Sequence, residues 1–282
     1  LADVVSHSST GHGAGSASAA GALPRSALLA LWLRAARPAA ADDAALERAV
    51  RAVERDDEPH VATGDLGDVR LADLVGAWSG STTAVVALAP VPGDVNGVPP
   101  EVAAEATDVG ECALVTTPAG SWALSPEVTE FGSDLEPGHL VTWRVRAVAP
   151  WTTRVLGATG TLAEAERELR TALLVATQAL DALDVARWRE DAAGAIAGLR
   201  SGGAPSWQLP AALDGRAVRV LEQAVRLRAI VDLAVADDGG AVNLWQADQR
   251  STALREVDRA SRRAIGAATL WVADGRPPGD AR

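Results

Sequence analysis

Few side chains in this sequence are able to do chemistry. The 282 residues hold four histidines, one cysteine, no tyrosine and no methionine, and all 26 basic residues are arginine. Without lysine, Schiff-base chemistry and a Walker-type phosphate lysine are excluded. One cysteine cannot form an intrachain disulfide or a Cys-x-x-Cys pair, and it leaves little material for a Cys/His metal site. His7 and His12 fall in a Ser/Gly/Ala segment. A Ser-His-Asp triad would therefore need His60 or His139, and nothing in the sequence sets a serine beside either. G-x-S-x-G and H-E-x-x-H are absent, and the glycine run from Gly11 to Gly15 follows no strand, so it lacks the context of a dinucleotide fingerprint. The sequence assigns no catalytic residue, no metal ligand and no cofactor.

Four weaker constellations remain. Pro92-Gly93-Asp94-Val95-Asn96-Gly97 follows the best strand candidate, and Asp94 with Asn96 offers oxygens for a hydroxyl or a cation. The same spacing also makes a turn by side-chain-to-backbone bonding. Arg228 falls seven residues after Leu221, at the seam of a long helix. There a guanidinium must be fully hydrogen-bonded, and it then serves register or a ligand. Arg226 stands four after Glu222, and Asp232 four after Arg228, the spacing of helix-surface bridges. Gly157-Ala158-Thr159-Gly160-Thr161 opens a helix, where exposed amides hold an anion or simply form a turn and cap. Nine tryptophans accompany a single phenylalanine. Most read as core, with Trp207 in a Gly/Pro-rich loop as the best exposed contact, and Trp245 and Trp271 as possible ends of a bundle. Asp94, Asn96 and Arg228 are the candidate ligand-binding residues.

The elements that must position these residues follow from hydrophobic rhythm. Residues 1–22 read as a flexible tail. Helices are expected over 26–37, 42–56 and 69–78. The β-branched run Thr82–Leu88 reads as a buried strand, 99–109 as a short helix and 112–117 as a strand. A hairpin is expected from 121–131 and 140–149, joined through 132–138. Val141, Trp143, Val145 and Ala147 alternate with Thr142, Arg144, Arg146 and Val148, which gives one buried face and aims the arginines at Glu127 or Glu130. After Pro150 the period becomes helical. Thr161 and Glu164 form a capping box. Leu162, Leu169, Ala176 and Leu183, with Leu173 and Leu180, mark a seam. A shorter piece runs on to Leu199 and stops at Gly202-Gly203. Long helices follow over 212–236, stopped by Asp237-Asp238-Gly239-Gly240, and over 243–273, capped by Asn243. The last carries a stripe of Leu254, Val257, Ser261, Ala264, Ile265, Ala268 and Trp271. The expected class is therefore α+β. A small, mainly antiparallel sheet with flanking helices (23–150) leads to an antiparallel helical bundle (158–275) and a disordered tail (276–282).

Charge narrows the partners. The net charge of −11 is uneven, with 20 acids against 10 arginines in residues 1–160 and 17 against 16 afterwards. Between Arg70 and Arg144 stand ten acids and no arginine. Such a surface keeps a protein dispersed and repels phosphate backbones and anionic lipid. Arg255, Arg259, Arg262 and Arg263 make a basic strip, but Glu256 and Asp258 interleave with it, so no nucleic-acid partner is expected. The apolar run Ser26–Leu33 follows Arg25 in the manner of a signal peptide, but Arg34 and Arg37 interrupt it, and it reads as an amphipathic helix. No segment approaches the ~18 apolar residues of a membrane span. A cytoplasmic protein without membrane contact is expected, with Cys112 as a small buried hydrophobe.

Two segments carry a resemblance. Ala87-Leu88-Ala89-Pro90-Val91-Pro92-Gly93-Asp94 followed by Glu101–Leu114 is one. Val225-Arg226-Leu227-Arg228-Ala229-Ile230-Val231-Asp232 with Asp237-Asp238-Gly239-Gly240 is the other. Together they resemble conserved actinobacterial proteins of unknown function, over about a quarter of the chain, and the resemblance implies no activity. The alanine-rich, arginine-only composition agrees with a GC-rich coding genome. Two functions fit this reading. One is a non-enzymatic module that binds a protein partner or a second copy through its bundle. The other is a small-molecule binder or enzyme with a site between the two parts, built from Asp94, Asn96 and Arg228.

Overall fold

The computed structural model describes residues 22–36, 43–133, 136–182, 207–236 and 244–273. In chain order its elements are α1 (Arg25–Ala35), α2 (Asp43–Glu54), β1 (Val61–Gly64), β2 (Val69–Arg70), α3 (Leu71–Trp78) and β3 (Ala84–Leu88). A 3-10 turn, Pro100–Val102, leads into α4 (Ala103–Val109), then β4 (Cys112–Thr117), β5 (Gly120–Ser133) and β6 (Glu136–Val148). The rest are α5 (Thr152–Thr159), α6 (Leu162–Ala182), α7 (Gly215–Ala236), α8 (Leu244–Thr269) and β7 (Trp271–Val272). The chain is α+β, with one seven-stranded sheet in the order β2-β1-β6-β5-β4-β3-β7. It is mainly antiparallel, as expected. It is larger than expected, and β1 runs parallel to β6.

Burial explains the sheet. Every residue of β3 is buried, so both of its faces are covered. Val85, Ala87, Ala113, Val115, Leu124, Trp143 and Val145 face one core, which also takes in α1, α3 and the buried residues of α6, α7 and α8. Ala84, Val86, Leu88, Cys112 and Leu114 face a smaller core with Val102, Ala106, Trp151 and Val155. Strand β6 keeps the predicted alternation as far as Arg146, burying Val141, Trp143 and Val145 and exposing Arg144 and Arg146, but Ala147, expected on the buried face, is exposed. Arg144 reaches Glu127 at 2.8 Å, whereas Arg146 turns to Glu105 at 3.5 Å and Asp65 at 3.8 Å.

Three expectations need correction. The chain after Pro150 is not all helical, because α8 stops at Thr269 and β7 pairs with β3. The stripe through Trp271 had suggested helix to 273. At Thr269 the hydroxyl lies 2.8 Å from the Ile265 carbonyl and accepts the Ala87 N–H at 3.0 Å. It thus supplies a partner to the open edge of β3. Trp271 and Val272 then pair with Val85 and Ala84, and Ala273 N–H bonds the Thr83 carbonyl at 2.7 Å. Buried strand edges demand partners, and this requirement outweighs helical period. Next, the buried line of α6 is Ala165, Leu169 and Ala172, while Leu173 is 41% exposed. Small residues let α6 approach its neighbours closely. Last, β1 and β2 were unforeseen. Four residues carry too little period, and pairing with β6 decides them.

Among the described residues no helix is long and apolar enough to cross a membrane. The expected tails, 1–22 and 276–282, lie outside the described residues apart from Ala22. So do the piece ending at Leu199 with its stop at Gly202-Gly203, the Asn243 cap and the Asp237–Gly240 stop.

Candidate functional site

The loop after β3 folds tightly. Val91 and Asp94 exchange backbone bonds at 3.0 and 2.9 Å, and Gly93 takes a φ of 84°. Asn96 sits at φ 51°, a left-handed conformation that asparagine tolerates. Asp94 Oδ1 accepts the Asn96 N–H at 3.2 Å, so the turn reading of this pair is correct. The turn also aims the other carboxylate oxygen. Asp94 Oδ2 accepts Arg262 Nη2–H at 2.9 Å, and Asn96 Nδ2–H donates to the Arg262 carbonyl at 3.4 Å. Burial alone would raise the Asp94 carboxyl. The Arg262 hydrogen bond and charge, with the Asn96 amide and Arg259, outweigh it and hold the group below the usual carboxylate range.

Arg262 is the centre of the arrangement. Its side chain is 3% exposed. Nε donates to Asp258 Oδ2 at 2.7 Å, and Nη1 to the Ala89 carbonyl at 3.3 Å. Asp258 in turn stands 3.7 Å, through Oδ1, from Arg228 Nε. The three residues singled out in the sequence are thus joined in one chain, Asn96 and Asp94 to Arg262 to Asp258 to Arg228. Sequence reading missed the two that join them. It placed Arg262 on an exposed basic strip, whereas the structure buries it. The available signal was Asp258 four residues before Arg262, beside the apolar stripe of α8. The strip itself is paired: Arg259 with Glu256 at 2.9 Å, Arg263 with Glu168 at 3.1 Å, and Arg255 with the hydroxyls of Ser251 and Thr252. Arg228 bridges to α8, not along its own helix to Asp232 as expected.

Beside Arg228 lies an open cleft lined by Ala22, Pro24, Val225, Arg228, Ala229, Asp232 and Ile265. Arg228 Nε is buried there without a hydrogen bond. Burial raises the Asp232 carboxyl, Arg228 opposes this, and the Asp258 charge adds to it.

A second polar cluster surrounds Asp57. Its Oδ2 accepts Arg25 Nε–H at 2.8 Å and faces His60 Nε2 at 3.2 Å. Its Oδ1 lies 3.3 Å from His139 Nδ1. The structure thus sets buried His60 and partly exposed His139 on one carboxylate. Trp143 Nε1 points at His60 Nδ1 at 3.1 Å. An indole nitrogen only donates, so Nδ1 accepts and Nε2 carries the proton toward Asp57. Burial lowers His60 to about 4, against the Asp57 hydrogen bond and charge, with Arg25 and Arg55 adding to the lowering. The nitrogen a general base would need is therefore capped by tryptophan, and no serine bonds it. Ser26, the serine closest in sequence to Arg25, bonds Glu111 at 2.8 Å through both its amide and its hydroxyl.

The remaining constellations resolve simply. At the start of α6 the Thr161 N–H donates to Glu164 Oε2 at 2.8 Å, and Thr161 Oγ1 accepts the Glu164 N–H at 3.2 Å. This is the predicted capping box, and the glutamate carboxylate takes the place an anion would use. Cys112 is fully buried, and burial pushes its thiol up to about 12. Trp207 is half-buried and packs on the main core, as does Trp271. The side chain of Trp245, and His7 and His12, lie outside the described residues. Among the described residues no three His, Cys, Asp or Glu side chains group to hold a metal.

Comparison with known proteins gives the chain its family. Residues 26–156 match the family described as Rv1486c-like protein, N-terminal domain. Residues 163–266 match Rv1486c-like protein, C-terminal domain. No curated protein and no solved structure matches. The resemblance to conserved actinobacterial proteins is borne out, and the chain belongs to the Rv1486c-like family.

Proposed function

We propose that this protein is a non-enzymatic association module that binds a second copy of itself through its long helices. The observation that carries this reading is exposed apolar surface outside the core: Leu174 on α6 is 64% exposed and Val235 on α7 is 66% exposed. These exposed side chains are the surface that association of the long helices would cover. The polar clusters support the same reading. Arg262 and His60 already have partners within the fold, which suits bracing better than turnover. In this reading 23–150 is a mixed part, the long helices from 158 onward form an antiparallel bundle, and the Asp94–Arg262 clamp holds the two together. A cytoplasmic setting suits a chain whose one cysteine is a buried thiol. Sedimentation of the full chain over a wide concentration range tests the proposal. A reversible dimer is expected, and a strict monomer at the highest concentration overturns it.

A second reading rests on Arg228 Nε, which is buried without a hydrogen bond and has Asp258 only at 3.7 Å. A small ligand with a hydrogen-bond acceptor would satisfy it in the cleft, with Asp94 and Asn96 holding the neighbouring Arg262 in place. Thermal shift with acetate and benzoate as probes tests this. Saturating ligand stabilises by about 2.7 kcal/mol at ~100 times Kd. No shift with wild type, or an equal shift with Arg228→Met, removes the reading.

A further inference from the structure

We infer that the cleft between the start of α1 and helices α7 and α8 binds a free α-amino acid with a small branched apolar side chain, its carboxylate on Arg228 and its ammonium on Asp232. This deepens the small-ligand reading and rests on it. Arg228 and Asp232 are four residues apart on α7, and both line the cleft. That spacing ordinarily lets opposite charges bridge along a helix. Here they form no ion pair. Arg228 turns to Asp258 on α8, and 3.7 Å is a charge contact, too long for a hydrogen bond. None of the guanidinium N–H groups makes a hydrogen bond among the described residues, although the side chain is only 26% exposed and Nε is buried. Asp232 makes neither a hydrogen bond nor an ion pair among the described residues. Ser261, fully buried on α8 one turn before Ile265, also has a hydroxyl without a partner. Buried polar groups are ordinarily paired, and these open ones gather on the two helices that form the cleft.

The charges name the ligand. Asp94, Arg262, Asp258 and Arg228 balance one another in sign, so Asp232 is the charge beside the cleft that lacks a counter-ion. Burial and the Asp258 charge raise its carboxyl, against Arg228, and an ammonium group would relieve it. The Arg228 fork needs an acceptor, which a carboxylate supplies in matching geometry. A lone carboxylate would meet Asp232 as a like charge. A lone amine would leave the Arg228 donors open and face a guanidinium. A molecule with both ends answers both groups, and an α-amino acid carries the two on one carbon. The rest of the lining is apolar, with Pro24, Val225, Ala229 and Ile265, so the side chain it accepts is a hydrocarbon. A volume of about 80 Å³ keeps that side chain short.

Isothermal titration of the full chain with L-valine, isovalerate and isobutylamine tests the assignment, the last two being valine without its ammonium and valine without its carboxylate. L-Valine should bind about tenfold more tightly than either. Arg228→Met should weaken valine and isovalerate alike, by about tenfold or more. Asp232→Asn should weaken valine by about tenfold and leave isovalerate no weaker. Asp232 is exposed, so this second variant keeps the test open if Arg228→Met fails to fold. Valine that does not bind, a fragment that binds as tightly as valine, or valine binding indifferent to Asp232→Asn overturns the amino-acid assignment. Acetate or benzoate binding that depends on Arg228 would then leave the small-ligand reading standing. No binding by any of the three, with no shift from acetate or benzoate, overturns both.

Discussion

His60 makes a quantitative demand on stability. Its ring is fully enclosed, with Trp143 donating to Nδ1 and Nε2–H directed at Asp57. Protonating the ring would bury a charge, which is the main reason the folded group titrates at about 4 and not at its ordinary 6.5, and it would also set the Nδ1 proton against the Trp143 N–H. The unfolded chain takes up a proton below 6.5 that the folded chain refuses. Stability from this group is therefore complete above pH 6.5 and is lost as the pH falls toward 4. The difference between 6.5 and 4, at 1.36 kcal/mol per unit, gives about 3 kcal/mol across that window. His60→Gln keeps an acceptor for Trp143 and a donor for Asp57 but cannot titrate. Denaturant unfolding of both proteins, in steps from pH 7.5 to 4.5, should show wild type losing stability faster by close to ~1.4 kcal/mol per pH unit below 6.5. Carboxylates common to both curves cancel in the difference. Parallel curves, or a His60 ring proton titrating near 6.5 by NMR, would refute the reasoning.

Three other outcomes are expected. Arg262→Ala leaves Asp94 and Asp258 facing an empty guanidinium site and the Ala89 carbonyl without this donor, and should cost about 3 kcal/mol by urea unfolding; a loss below 1 kcal/mol would show that the clamp is not structural. Thr269→Val keeps the shape but removes the hydroxyl from the β3 edge, for about 1–3 kcal/mol, with faster amide exchange at Ala87 as the local sign. Cys112, buried and with its thiol pushed up to about 12, should resist a disulfide reagent in the native protein and react at once in denaturant; rapid native labelling would contradict its burial.

Much of the fold was legible in local period. The fully buried β3, the alternating β6, the capping box at Thr161 and the stripe on α8 each follow from neighbours a few residues apart, where spacing alone says which side chains share a face. Asp94, Asn96 and Arg228 were legible as polar groups in places that ask for a reason. What joins them was not. Arg262 and Asp94 are 168 residues apart, and only folding turns a surface-looking arginine into a buried one. The His60–Trp143 bond spans 83 residues for the same reason. Strand β7 shows the limit most sharply. Its two residues fall within the helix expected to 273, and they leave it because the β3 edge, far earlier in the chain, has backbone groups that must be paired. Local spacing specifies an element's faces, but hydrogen bonds and charges between distant segments exist only once the chain has closed on itself. The pairing of the β3 edge and the Arg262 clamp were decided there.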